Sequence, residues 1–206
     1  KNNRRERLLS PAELESLLAE IKKRDLAAWR MTLFAALTGC RASEACNLRW
    51  KDICMEAKTA RFEDTKNGTS RTIPLAPALC ALLAEIAPGM PGDYVFLSCL
   101  GRPYQEAPSV FRKVVEDLGL NADRPTKERF CFHSLRHMAA TGLARELTLR
   151  GLMDFLGWKV PAMPLRYVHS DEQEQRRAAE ALERRLSRTP GKVVSLPRRA
   201  SGDDSE

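Results

Sequence analysis

The sequence predicts a mainly α-helical domain with one small antiparallel β-sheet, an α+β arrangement. Three observations point there. Apolar residues recur at helical spacing through the first 50 residues and again after Leu75. Between Ile53 and Leu75 that period breaks, and short strand-like pieces flank Asn67-Gly68, the strongest short hairpin signal. No internal repeat is present, and 206 residues at 43% hydrophobic are enough for one sizeable core.

Lys1 to Leu9 is a charged lead-in. "SPAELESLLAEI" opens a helix: Ser10 can cap, Pro11 fits the first turn and Glu13 completes a capping box. Apolar residues at 14, 17, 18 and 21 form one face. "AAWRMTLFAALTG" is more apolar all round, which predicts a central helix ended by Gly39. "RASEACNLRW" reads as a short third helix. After the hairpin, Pro74 and Pro77 close the sheet region. "APALCALLAEIAP" is again helical, "GDYVFLS" reads as an isolated strand, and "APSVFRKVVEDLGL" is a helix ending at Gly119. "CFHSLRHMAATGLARE" and "LTLRGLMDFLG" are two more helices. Pro161 and Pro164 break the chain before a turn carrying Tyr167. Residues 171–186 form a charge-laced helix, and 187–206 read as a disordered tail rich in Pro, Arg, Ser and Gly.

The net charge of +7 points to an anionic partner, nucleic acid first. No apolar run approaches 18 residues and no signal peptide is present, which excludes a spanning helix and predicts a cytoplasmic protein. The six cysteines, Cys40, Cys46, Cys54, Cys80, Cys99 and Cys131, show no C-x-x-C or zinc spacing. They are expected to be reduced and mostly buried, with no disulfide and no metal site.

Four stretches could carry chemistry. In "TGCRASE", Arg41 stands where one helix ends and the next begins, and Glu44 is three residues on, spaced to hold its guanidinium. Alone, such an arginine is most often a surface residue. In "TKNGTSR", Lys66 lies beside the hairpin turn, either solvated or delivered by the β-tongue to a phosphate or leaving group. In "FHSLRHMAATGLA", His133, Arg136 and His137 share one face at a helix start, where exposed N–H groups and the dipole favour an anion. The bland alternative, favoured for His137, is that it points into the core and ties down its neighbours. In "FLGWKVPAMPLRYVHS", Gly157 ends a helix, Trp158 follows at the rim, and Tyr167 comes after two prolines.

A tyrosine hydroxyl titrates near 10 and is a weak nucleophile, useful where cations surround a phosphodiester. Two arginines, a lysine, a histidine, an indole N–H and a tyrosine suggest phosphoryl transfer without a metal. The extra charge on the non-bridging oxygens must then be met by preorganised donors, for which arginine forks suit. A Cys131–His133 hydrolase is disfavoured, because residues two apart at a helix start point away from each other.

The ordered set "TGCRASEACNLRW", "TKNGTSRTIPL", "HSLRH" and "LGW", with Tyr167 nine residues later in "LRYVH", resembles the catalytic domain of the tyrosine recombinases, the phage-integrase family. The likeness runs from about Leu9 to Leu186. It implies the tyrosine recombinase catalytic-domain fold for residues 10–186, with residues 1–9 a linker from an N-terminal DNA-binding domain outside this chain. It implies a site-specific DNA recombinase that cleaves and rejoins strands through a 3′-phosphotyrosine, without metal, ATP or cofactor. Arg41 and Arg136 would clamp the phosphate. His133 would contact it and help accept the tyrosine proton. Lys66 would protonate the departing 5′ oxygen, and Tyr167 would attack. Glu44 and His137 would support these groups from behind. Most members have histidine where this chain has Trp158, and an indole can donate but not accept a proton, which confines Trp158 to hydrogen bonding and packing.

Double-stranded DNA is the implied partner. The implied assembly is a homotetramer on DNA for the full-length protein, with helix 171–186 docking on a neighbouring subunit, and a monomer or weak oligomer for this piece. A bacterial or phage-encoded, nucleoid-associated protein is expected. Rival readings are a type IB topoisomerase-like relaxing enzyme and a catalytically inactive DNA-binding relative.

Overall fold

The computed structural model describes residues 7–64 and 69–167, without the side chains of 64, 69 and 127, and the separate positions 176, 179, 180, 183 and 184. Lys66 and the Asn67-Gly68 turn, the lead-in to residue 6, the tail 187–206 and most of the expected helix 171–186 lie outside the described residues. The chain divides into two units, Lys1–Val168 and His169–Glu206. In the second, the described positions are helical.

The first unit begins with α1 (Pro11–Arg24), which starts as its sequence dictates. Ser10 Oγ accepts from the Glu13 N–H, and Glu13 returns the bond to the Ser10 N–H. Leu17 and Ile21 are buried against α2 (Leu26–Thr38), capped by Asp25. α2 packs against α1, α3 (Ala42–Asn47), α4 (Pro77–Ala84), α5 (Ser109–Asp117) and α6 (Phe132–Leu143), so it is central. Its Phe34 meets Phe62 and Phe96 at ring distances of 6.2 and 5.1 Å. Two polar residues survive inside this helix because each satisfies itself: Thr32 and Thr38 donate to the carbonyls four residues back.

β1 (Ile53–Cys54), β2 (Thr59–Asp64) and β3 (Thr69–Pro74) form an antiparallel sheet in the order β1-β2-β3. Pairing Ala60 with Ile73 and Phe62 with Arg71 puts all four on the inward face. On α5, Phe111, Val114 and Val115 are buried, and Phe111 packs on Phe130 and Phe132. A smaller cluster of Ala140, Leu152 and Leu156 joins α6 to α7 (Leu149–Leu156), with Trp158 and Tyr167 packed on it.

Three expectations need correction. "GDYVFLS" forms no strand: Tyr94 and Leu97 make only single bridges, to Arg49 and Pro103, because the extended residues beside Tyr94, Leu48 and Arg49, give way at once to the 3₁₀ turn at Trp50. The third helix stops at Asn47, and Trp50–Asp52 is a separate 3₁₀ turn. All six cysteines are free, but only Cys40 and Cys46 are buried; Cys54, Cys99 and Cys131 are exposed, on a strand end, a turn and a helix cap. Burial pushes the Cys40 thiol up to about 12, so it is inert.

Gly39 ends α2 in the left-handed region, φ +62°. A Cβ there would lie 2.9 Å from both Ala139 Cβ and Leu156 Cδ2. Gly39→Ala therefore combines left-handed strain with overpacking, roughly 2–4 kcal/mol together. Thermal unfolding should show the midpoint falling by about 5 °C or more.

Candidate active site

Two helices end at left-handed glycines, α2 at Gly39 and α7 at Gly157 (φ +68°). Helix ends leave carbonyls without partners. Arg136, 3% exposed, reaches from α6 into both: Nη1 donates to Gly39 O at 2.7 Å and Nη2 to Leu156 O. One guanidinium thus ties together the turn before Arg41 and the turn before Trp158. Burial, then the positive charges of Arg41 and Arg71, lowers Arg136 to about 10, against a counter-pull from Glu44. It therefore stays protonated at neutral pH. Its guanidinium lies over the Trp158 ring at 5.4 Å.

Arg41 caps α3. Its backbone N–H donates to Glu44 Oε2 at 2.6 Å and its Nη1 to Oε1 at 2.8 Å. Glu44 is nearly buried, and its main partner is another arginine. Arg71, on the inward face of β3, donates through Nη1 and Nη2 to both carboxylate oxygens at 2.7 and 2.8 Å. Burial pushes the Glu44 carboxyl up, but Arg71's hydrogen bonds and charge, with Arg41's, outweigh it, and the group sits below its ordinary range. Arg71 also donates from Nε to Phe155 O at 2.9 Å and lies over Phe62. A Cβ on Gly157 would come within 3.0 Å of the Arg71 side chain, so glycine there makes room for it.

Tyr167 closes the 3₁₀ turn Pro164–Arg166, whose Pro164 is buried. Its ring stacks nearly parallel on Trp158, 5.5 Å and 9°, and lies 5.9 Å from the His137 ring. The Tyr167 hydroxyl and His137 Nδ1 share a hydrogen bond. His133, exposed, meets His137 edge-on at 4.8 Å. Both histidines line a cleft of about 650 Å³ between α5 and α6, with Phe111, Val115 and Phe130 among its apolar walls.

The phage integrase family pattern matches residues 7–174. The chain belongs to that family. It is 31% identical over 165 residues to the type 1 fimbriae regulatory protein FimB of Escherichia coli K12, covering 76% of this chain and 80% of FimB. A probable integrase/recombinase of Methanocaldococcus jannaschii is 30% identical over 154 residues, 71% of this chain and 45% of that protein. The integrase of Salmonella phage P22 is 29% identical, over 81% of this chain and 44% of its own. The chain spans about half the length of most of these curated relatives. Among solved structures, the catalytic domain of bacteriophage HP1 integrase superposes with a TM-score of 0.65 at 24% identity, covering 85% of this chain and 94% of that one. The Tn1549 transposon integrase in complex with transposon right-end DNA gives 0.69 at 21%, covering 86% and 66%. At these identities the likeness establishes the fold, that of tyrosine recombinase catalytic domains.

Of the residues singled out in this integrase-family chain, Arg41 and Glu44 are bonded to each other, and Glu44 to Arg71, while His133, Arg136, His137, Trp158 and Tyr167 form a second linked set of contacts; Lys66 lies outside the described residues. Two expectations change. His133, Arg136 and His137 do not present one exposed cradle, because Arg136 turns inward to the two helix-end carbonyls while His133 faces solvent. His137 does not point into the core; it is half-buried and meets the Tyr167 hydroxyl. Arg71 was missed. Its signal was legible: in "SRTIPL", strand alternation puts it on the same side as Ile73, and a charge on an apolar face needs a buried partner.

Among the described residues, no group of three or more His, Cys, Asp or Glu stands where it could hold a metal ion, and no helix is long and apolar enough to cross a membrane.

Proposed function

We propose that this chain is the catalytic part of a site-specific DNA recombinase. Tyr167 attacks a phosphodiester of double-stranded DNA and forms a 3′-phosphotyrosine, releasing a 5′ hydroxyl. The bond stores the phosphodiester's energy, so rejoining needs no ATP. Arg41 and Arg136 hold the non-bridging oxygens, His133 hydrogen-bonds the phosphate, and Lys66, which falls between β2 and β3 in the sequence, protonates the departing 5′ oxygen. Trp158 supports the tyrosine by stacking and the phosphate by its N–H. Glu44 orients Arg41.

The observation that carries this reading is the placement of Tyr167. Its ring stacks on Trp158, and Arg136 lies over that same indole. The nucleophile and the clamp thus share one aromatic wall. An arginine held by two carbonyls is already oriented before substrate arrives, as electrostatic catalysis requires. The protein would act on DNA as a homotetramer, with residues 171–186 docking on a neighbouring subunit.

The test is a nicked duplex carrying the cognate site, whose cleaved end diffuses away and traps the intermediate. Full-length protein should form a covalent adduct, with chelator present, and Tyr167→Phe should form none. An adduct that survives Tyr167→Phe would remove Tyr167 from the reaction. Relaxation of supercoiled DNA without site preference would assign the chain to topoisomerase chemistry instead.

A further inference from the structure

We infer that His137 takes the proton from the Tyr167 hydroxyl as that oxygen attacks phosphorus. The inference rests on the strand-transfer reading of the same site. It gives His137 a chemical role, distinct from that of His133, which is left to the phosphate.

His137 Nδ1 is hydrogen-bonded to the very oxygen that must lose a proton. A general base has to lie within hydrogen-bond reach of the proton it removes. The two rings lie at 27° to one another, and Trp158 fixes the tyrosine ring by stacking. His137 sits in the second turn of α6, next to Arg136, whose guanidinium is pinned to Gly39 and Leu156. Both partners are therefore held by ordered structure. His133, by contrast, meets His137 through its ring and is exposed.

Protonation state agrees with the geometry. A histidine accepts a proton only when neutral. Burial, then the charges of Arg136 and Arg166, holds His137 below its usual 6.5. The titratable and charged groups around it include His133 and Arg136 from α6 and Arg166 and Tyr167 from the last turn, and the cleft it lines also carries Arg112 and Glu116 of α5 and Glu128 and Arg129. The cations favour the neutral imidazole and, equally, the developing phenolate.

The step balances. The Tyr167 Oη–P bond forms and the P–O5′ bond breaks. The phenol proton passes to His137 Nδ1, and the departing 5′ oxygen takes a proton from Lys66. Rejoining runs the same transfers backwards, so no outside co-reactant is consumed.

The experiment measures single-turnover cleavage of the nicked cognate duplex by full-length protein. His137→Ala should slow adduct formation about a hundredfold or more, the usual worth of a positioned base. His137→Asn places an amide near Nδ1 that can accept a hydrogen bond but not a proton; it guards against a folding defect and should remain slow. Wild-type rate should fall as pH drops through a value below 6.5, and that acid limb should vanish in His137→Asn. Replacing Tyr167 by the more acidic 3,5-difluorotyrosine should restore much of the His137→Ala rate. A bridging 5′-phosphorothiolate, which needs no protonated leaving group, should rescue Lys66→Ala but not His137→Ala. Adduct formation by His137→Ala within about threefold of wild type, or its rescue by the phosphorothiolate, would overturn this inference alone. Absence of any adduct with the wild-type protein would overturn the strand-transfer reading, and this inference with it.

Discussion

Arg136→Lys should lower single-turnover DNA cleavage by about 10²–10³-fold, the usual effect of losing one preorganised donor to a transition-state oxygen. The substitution keeps the charge and loses the fork. An ammonium at the end of a flexible stem cannot donate in two fixed directions to Gly39 O and Leu156 O, so one helix-end carbonyl loses its partner. The remaining donors are then no longer aimed. Stability should fall too, by about 1–3 kcal/mol for a buried acceptor left unsatisfied. DNA binding should change far less than cleavage, since charge is retained. Near-normal cleavage by Arg136→Lys would count against the phosphate clamp, whereas equal losses in binding and cleavage would show that only the fold had suffered.

Arg71→Met should be the most destabilising change in this part of the molecule, by roughly 3–5 kcal/mol, because it leaves a buried carboxylate short of its main partner. The side chains of Arg71 and Glu44 are 10% and 6% exposed, so solvent offers little compensation. Met fills similar volume, which separates lost charge from lost packing. Arg41 remains bonded to Glu44 and limits the damage. The pH dependence gives a second readout. The Glu44 carboxyl is held below its usual 4.5 in the folded protein. Its pairing therefore contributes stability that is present above 4.5 and lost as pH falls through the folded value. Urea midpoints between pH 7 and 3 should decline in wild type, with a smaller decline in a Glu44→Gln/Arg71→Met double variant. Equal slopes would mean that this pair adds nothing to acid sensitivity. Arg71 also spans from β3 to Phe155 O, so Arg71→Met should slow cleavage even below its melting temperature.

Much of the architecture was legible because the signals are local. Ser10, Pro11 and Glu13 specify a helix start, and Gly39 and Gly157 specify helix ends, whatever surrounds them. The order of the four motifs was equally legible and led to the family. What escaped depends on packing between distant segments. The His137–Tyr167 contact joins residues 30 apart in sequence and exists only because α6 and the last 3₁₀ turn meet on the small cluster around Leu152 and Leu156. The inward turn of Arg136 likewise needs two helix ends 117 residues apart, Gly39 and Leu156, to arrive together. Tyr94 to Ser98 carried strand-like residues but had no strand to pair with. The exposure of Cys54, Cys99 and Cys131 follows from where loops and caps fall, which composition does not encode. Arg71 alone could have been found, from its alternation with Ile73 in "SRTIPL".

The most direct test of the central claim is to identify the covalent bond. The trapped protein–DNA adduct is digested with protease and nuclease and the linked peptide is sequenced by mass spectrometry. The account predicts a single nucleotide joined through its 3′ phosphate to Tyr167, with a free 5′ hydroxyl on the released strand. A 5′-phosphate linkage, attachment to any other residue, or cleaved DNA with no linked peptide would contradict it.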